Sequence, residues 1–354
     1  MSTSMIERHT GDFPLRKPWW MRLARHAPRD EVGICIPAWQ SQAFIGRTLD
    51  FALGQTHGRV RVLVSIDQCD DDTSAICLAR AQRDPRVAVF VQPTRLGWAG
   101  NVNFLLDQVS TPYFFLYFHD DVIVPQYTAR LLHALQRRPD AASAHCDMDH
   151  FGAPRPVSVG FAYEGTAARR LGAFLVAPER GSPLRSLTRS ALLADGLRLP
   201  TGEIDGLWAN EPYLMQLVAA GAAVHVPEIL YYRWNQREGG LTDGWKRLAP
   251  AEVHAGHAGN IRTALEIIDR ATADASERRA LAFCLYVHMM PRLRAIERES
   301  QGAIAIDPET VSARFAAAGE PCDLACLGEE ISSWALQRHA RLRELERRRQ
   351  ATPA

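Results

Sequence analysis

Two adjacent carboxylates, Asp120 and Asp121, follow His119 and the apolar run YFFLYF (113–118). A buried strand that delivers neighbouring carboxylates to its carboxyl end concentrates negative charge there, and a hard cation relieves the repulsion. Mg2+ or Mn2+ takes few protein ligands and completes its shell with water and phosphate oxygens. Such a cation suits a diphosphate leaving group, whose charge grows as its bond breaks. An aspartate pair also serves as a helix N-cap, and Pro125 lies close enough to fit that reading.

Three clusters upstream share the pattern of a polar group behind an apolar run. VGICIP (32–37) is followed by Ala38, Trp39 and Gln40, and the Trp39 ring offers a face for a base to stack on, or else packs in the core. VRVLVSI (60–66) ends at Asp67, which could accept a base N–H or a ribose hydroxyl, with Asp70, Asp71, Asp72 and Thr73 as capping residues beyond. After VAVFVQ (87–92) comes RLGWAGNVN (95–103): Gly97 permits a tight turn, Gly100 and Asn101 lead into a helix N-terminus that favours anions, and Asn103 could orient from the first turn.

These clusters require a scaffold that carries strand ends to one edge. The runs at 32–37, 60–67, 87–92 and 113–118 alternate with helical spacing over 44–53, 73–83, 100–108 and 127–138. This alternation predicts an α/β, doubly wound, mostly parallel sheet flanked by helices, with ligands beyond the carboxyl ends of the strands. Residues 141–200 are less regular and are expected to face the acceptor side. A helix over 211–221, with Pro212 in its first turn, precedes the strand-like VHVPEILYYRW (224–234) and the glycine-rich REGGLTDGW (237–245). From about 250 onward the pattern is helical. The expected organisation is an arm at 1–30, a catalytic α/β domain at 31–245 and a helical extension at 246–354.

The 354 residues carry a net charge of +1, and no basic stripe with interleaved aromatics marks a nucleic-acid binder. No apolar run reaches the roughly 18 residues of a membrane span. The N-terminus lacks a signal-peptide core, and the scattered cysteines fit a reducing compartment, so a cytoplasmic location is expected. Trp19 and Trp20, beside Arg16, Lys17 and Arg22, could touch the inner face of a membrane or pack back on the domain. Cys322 and Cys326 have no second pair to complete a zinc site, and His254 and His257 fit surface histidines better than ligands.

In their order and intervals, IPAWQ, VSIDQCDDDT, RLGWAGNVN and FFLYFHDD resemble the inverting family 2 glycosyltransferases of the GT-A fold, over about residues 31–240. The resemblance implies a sugar transferred from a UDP-, GDP- or dTDP-linked donor to an acceptor hydroxyl that the sequence does not name, with Mg2+ or Mn2+ assisting. It implies that Pro37, Ala38, Trp39 and Asp67 hold the nucleoside, that Gly97 and Asn103 lie near the base and phosphates, that Asp120 is the metal ligand, and that Asp121 is its acidic helper. Two departures stand out. Phe118 occupies the place of the family's first aspartate, with His119 following it. The acidic pair that supplies the family's catalytic base aligns on Asn210, so the base falls to Glu211, with Glu203 and Asp205 as fallbacks. Arg237 or Thr242, on a loop hinged at Gly239 and Gly240, could close over the diphosphate. The departures leave a catalytically inactive nucleotide-binding or scaffold module as the alternative. A nucleotidyltransferase needs glycines after the first strand, where PAWQSQAF has none, and a dinucleotide-dependent oxidoreductase needs a GxGxxG there.

Overall fold

The computed structural model describes residues 29–152, 157–176, 182–202, 206–235, 245 and 247–299. The arm with Trp19 and Trp20, the fallback acids Glu203 and Asp205, the loop residues Arg237, Gly239, Gly240 and Thr242, and Cys322 and Cys326 lie outside the described residues, as does the side chain of His254.

Eight strands form one sheet in the order β3-β2-β1-β4-β7-β6-β8-β5. They are β1 (Val32–Ala38), β2 (Val60–Ile66), β3 (Val87–Val91), β4 (Tyr113–Leu116), β5 (Val122–Ile123), β6 (Ala141–Phe151), β7 (Leu187–Arg189) and β8 (Ala222–Trp234). Parallel pairing joins β3, β2, β1 and β4, and separately joins β6 to β8; the short β7 and β5 pair antiparallel to their neighbours. The expected doubly wound, mostly parallel sheet is therefore observed. β1 is buried along its whole length because both faces are covered: Ile34 and Ile36 enter one apolar cluster and Cys35 the other. A strand buried on both faces reads as a continuous apolar run, which is why VGICIP was legible.

The helices α1 (Ile45–Leu53), α2 (Thr73–Arg83), α3 (Gly97–Gln108) and α4 (Tyr127–Gln136) cross between the strands. Helix α2 has the expected bounds, and of the aspartates before it Asp71 supplies the capping contact, accepting the Thr73 N–H at 3.2 Å. Helix α3 begins at Gly97 rather than Gly100, because Asp67 captures the N–H groups of Leu96 and Gly97 and starts the turn earlier.

The stretch read as irregular contains β6, α5 (Ala167–Val176), β7 and the short α6 (Ala191–Ala194). Strand β6 alternates apolar and polar residues with period two, but its polar members Ser143, His145 and Asp147 are also buried, so it lacks the apolar run of a central strand. Helix α7 (Asn210–Ala220) leads into β8, and α8 (Pro250–Ala271) and α9 (Ala275–Glu299) follow. Ile267, Ile268, Leu281 and Leu285 of these last helices share one apolar cluster with Val102 of α3 and Leu214 of α7. Among the described residues no helix is long and apolar enough to cross a membrane.

His145 on β6 is 1% exposed, beside His225 of β8, whose Nε2 donates to Asp147 at 2.7 Å. Burial, helped by His225, lowers the His145 pKa to about 3. The folded state thus holds this ring neutral, while the unfolded chain protonates it near pH 6.5. The stability it contributes is complete above pH 6.5 and is lost as pH falls toward 3, at about 1.4 kcal/mol per pH unit once the unfolded ring is charged. Urea melts between pH 7 and 5 should show His145→Leu with a shallower pH dependence than the wild type by about one proton; parallel curves would rule out this source of acid sensitivity.

Candidate active site

The carboxyl ends of β1, β2 and β4 are tied by hydrogen bonds from the residues just beyond them. The Asp67 N–H donates to the Ala38 carbonyl at 2.9 Å, and the Tyr117 N–H donates to the Cys35 carbonyl at 2.8 Å. His119 Nδ1 lies 3.0 Å from the Pro37 carbonyl, which accepts, so this nitrogen carries the proton. Gln40, directly after Trp39, adopts a φ of 44°, which turns the chain sharply off the sheet edge. Pro37, Ala38, Trp39, Asp67, His119 and Asp120 are thereby gathered at one edge from three strands.

Asp67 is 3% exposed, and its carboxylate accepts the N–H of Leu96 at 2.7 Å and of Gly97 at 2.9 Å. A strand-end carboxylate is here the anchor of the loop before α3. Gly97 has φ 70°, a left-handed value that favours glycine, so the sequence places glycine where this anchor demands it. The Arg95 guanidinium sits 4.0 Å from the centre of the half-buried Trp39 ring, joining the same loop to the end of β1. Asn103 is engaged within the protein. Its side-chain amide donates to the Leu199 carbonyl at 2.8 Å and accepts the Leu199 N–H at 2.9 Å. Both ends of the amide are engaged in fastening the segment before α7 to α3.

Asp120 and Asp121 lie in the turn between β4 and β5, and α4 starts only at Tyr127, so the pair caps no helix. The two carboxylates have opposite environments. Asp121 is 2% exposed. Its Oδ2 accepts from Nε and Nη2 of Arg185, each at 3.2 Å, and from the Tyr231 hydroxyl at 2.7 Å. Its Oδ1 accepts the Trp234 N–H at 3.0 Å. With these donors on both oxygens, Asp121 acts as a strut between the turn and β8. Burial raises its carboxyl above the ordinary range, while Arg185 and the Tyr231 and Trp234 hydrogen bonds oppose that rise. Arg185, despite burial, is held charged by Tyr231 and Asp121. Asp120 remains half-buried at the sheet edge.

Arg185 had no signal in the sequence. It lies at the end of a single 3-10 turn (Ser182–Arg185), in a stretch without periodicity, and reaches Asp121 only because the chain folds back beside β4 and β6. Its guanidinium also lies 4.9 Å from the Phe118 ring centre and 5.1 Å from that of Tyr231. Phe118, the residue in place of an aspartate, is thus one of the aromatic faces around this buried cation.

Glu211 stands in the first turn of α7, one residue after the helix begins at Asn210. His288 of α9 places its Nε2 3.3 Å from each Glu211 carboxylate oxygen. The helical C-terminal region therefore reaches the expected base. Among the described residues no group of three or more His, Cys, Asp or Glu side chains could hold a metal alone. Asp120, with His119 adjacent, fits a Mg2+ or Mn2+ ion that takes most of its ligands from a bound diphosphate and water.

A mostly parallel sheet with these side chains at its carboxyl edge defines the GT-A class of glycosyltransferase folds. Residues 33–156 match the family model described as Glycosyl transferase family 2, and over that part the chain is similar to that family. No curated protein matches the sequence. Among solved structures, residues 1–349 of S. aureus TarS in complex with UDP-GlcNAc superpose with a TM-score of 0.62 at 16% identity, covering 81% of this chain and 81% of that one. The same protein in complex with UDP gives 0.61 at 16% identity, over 81% and 80%. The longer S. aureus TarS structure gives 0.61 at 15% identity over 82% of this chain, which spans 49% of that protein. At such identities the likeness is one of fold.

Removing one partner of a buried ion pair leaves the other charge unanswered, at a typical cost of about 3–5 kcal/mol. Arg185→Met should therefore lower the unfolding free energy by about that much in denaturant melts, whereas Asp120→Ala should change it by about 0.5 kcal/mol or less. Equal effects of the two substitutions would contradict this division of labour.

Proposed function

We propose that this chain transfers a sugar from a nucleoside-diphosphate donor to an acceptor hydroxyl with inversion, assisted by Mg2+ or Mn2+. The observation that carries the reading is the half-buried Asp120 at the sheet edge, next to an aspartate locked in place by Arg185. A carboxylate on a rigid turn can meet a diphosphate-bound cation with little reorganisation. The cation, when bound, neutralises charge on the leaving diphosphate.

Each remaining role falls to a residue of this chain. Trp39 offers its ring to the base, and the loop anchored by Asp67 presents the start of α3 to the phosphates. The UDP and UDP-GlcNAc held by the structurally similar TarS support a uridine donor here. Glu211 takes the proton of the acceptor hydroxyl as that oxygen attacks the anomeric carbon from the face opposite the diphosphate. General-base help of this kind is worth about 10² to 10⁴ in rate. The domain boundaries at 30 and 245 stand as part of the same reading, with His288 drawing the helical extension into the chemistry. A cytoplasmic location is proposed with it.

Titration calorimetry with UDP, GDP and dTDP sugars, with Mn2+ or with EDTA, tests the metal site: Asp120→Ala should abolish the metal-dependent part of donor binding, and wild-type affinity in that variant would falsify the assignment. Glu211→Gln should bind donor as the wild type does and lose transfer by about 10²-fold or more. Normal transfer by Glu211→Gln would move the base to Glu203 or Asp205.

A further inference from the structure

Between the loop anchored by Asp67 and the first turn of α7, ring side chains from four separate segments converge. They are Trp98 in the first turn of α3, Trp208 in the turn before α7, Trp245, and His257 of α8. Trp208 stacks on His257 with ring centres 4.0 Å apart and planes 16° apart. Trp245 lies 6.2 Å from Trp208 and 6.5 Å from Trp98.

Three features separate this cluster from ordinary core packing. First, Trp98, Trp208 and Trp245 each remain partly exposed, although large aromatic surfaces gain most from full burial. Second, Trp208 holds a φ of 52°, a left-handed conformation that is a genuine outlier for a bulky residue. Such backbone persists only where its surroundings over-determine it, and here they do. Trp98 Nε1 donates to the Gly206 carbonyl at 2.8 Å, Asn260 Nδ2 to the Leu207 carbonyl at 2.7 Å, and the Glu211 N–H to the Trp208 carbonyl at 3.1 Å. Third, the Trp245 Nε1–H is buried with no hydrogen-bond partner, a donor left over by the fold.

A rigid indole surface with an unmatched N–H suits a pyranose ring. The ring's C–H face packs on the aromatic face, and a hydroxyl takes the N–H. None of the three indoles carries a charge, so the surface does not select a charged headgroup. Its position matches a second substrate: Trp98 adjoins Gly97, and Trp208 is bonded to the backbone of Glu211. We propose that Trp98, Trp208 and Trp245 form the acceptor subsite, and that the acceptor is a saccharide whose ring stacks on these indoles. This inference rests on the transferase reading for its role and is tested without it.

Tryptophan emission of the full chain should be titrated with methyl glucoside, maltotriose, cellotriose and chitotriose, with glycerol 3-phosphate as an acyclic, charged comparison. At least one saccharide should give a saturable change, weakened tenfold or more by Trp208→Gly, which suits the left-handed backbone, and by Trp245→Phe, which removes the N–H with the five-membered ring and keeps a smaller aromatic face. A response to glycerol 3-phosphate alone, no response to any saccharide, or unchanged affinity in both variants would overturn the subsite. Donor binding is measured on the same samples by calorimetry. Donor binding without saccharide binding sinks the subsite alone. Saccharide binding without donor binding or transfer sinks the transferase reading and the acceptor role, and leaves a saccharide-binding surface. Absence of both sinks the two together.

Discussion

A buried carboxylate must have its charge answered, and the ion pair between Asp121 and Arg185 is the constraint around which this edge of the sheet is arranged. It joins three parts of the chain that lie far apart in sequence: the turn after β4, the 3-10 turn before β7, and the end of β8 through Tyr231 and Trp234. The Tyr127 hydroxyl donates to the Arg185 carbonyl, which fixes the arginine from the side of α4. Tyr117, Tyr127 and Tyr231 pack edge to face or tilted around the pair and exclude water from it. The position of Asp120 is a consequence, because its neighbour cannot move without exposing an unpaired charge.

Asp67 does for the loop before α3 what Asp121 does for the turn after β4. Each is a nearly fully buried acid whose oxygens are engaged inside the protein, and each holds in place a segment that could face a ligand. Rigid anchoring of this kind lowers the reorganisation needed when charge develops in a transition state. The edge thus separates acids that build the site from those left to act in it. In the proposed function Asp120 and Glu211 belong to the second group, Glu211 with His288 beside it.

The helices at the C-terminal end of the described chain complete this arrangement. His257 of α8 backs Trp208, Asn260 of α8 holds the Leu207 carbonyl, and His288 of α9 touches Glu211. These contacts all fall on the segment between Gly206 and Glu211, where the proposed base and the aromatic surface meet. A change in how these helices dock would therefore be felt at both Glu211 and the aromatic surface.

The local sequence determined the parallel strands β1 to β4, their helices and the edge to which polar strand ends are carried. Buried parallel strands need continuous apolar runs, and crossover helices need their own periodicity, so β1 to β4 and α1 to α4 announced themselves. The sequence also placed Gly97, whose left-handed φ only glycine adopts readily. It did not reveal β6, because polar residues buried on a strand mimic an exposed face, and it did not reveal Arg185, because an arginine in an aperiodic stretch looks like a surface residue until its partner is known. For the same reason it could not divide the labour of Asp120 and Asp121. Adjacent in the chain and identical in chemistry, they differ only in what the tertiary structure brings against them: a buried guanidinium, a tyrosine hydroxyl and a backbone N–H for one, and the open edge of the sheet for the other.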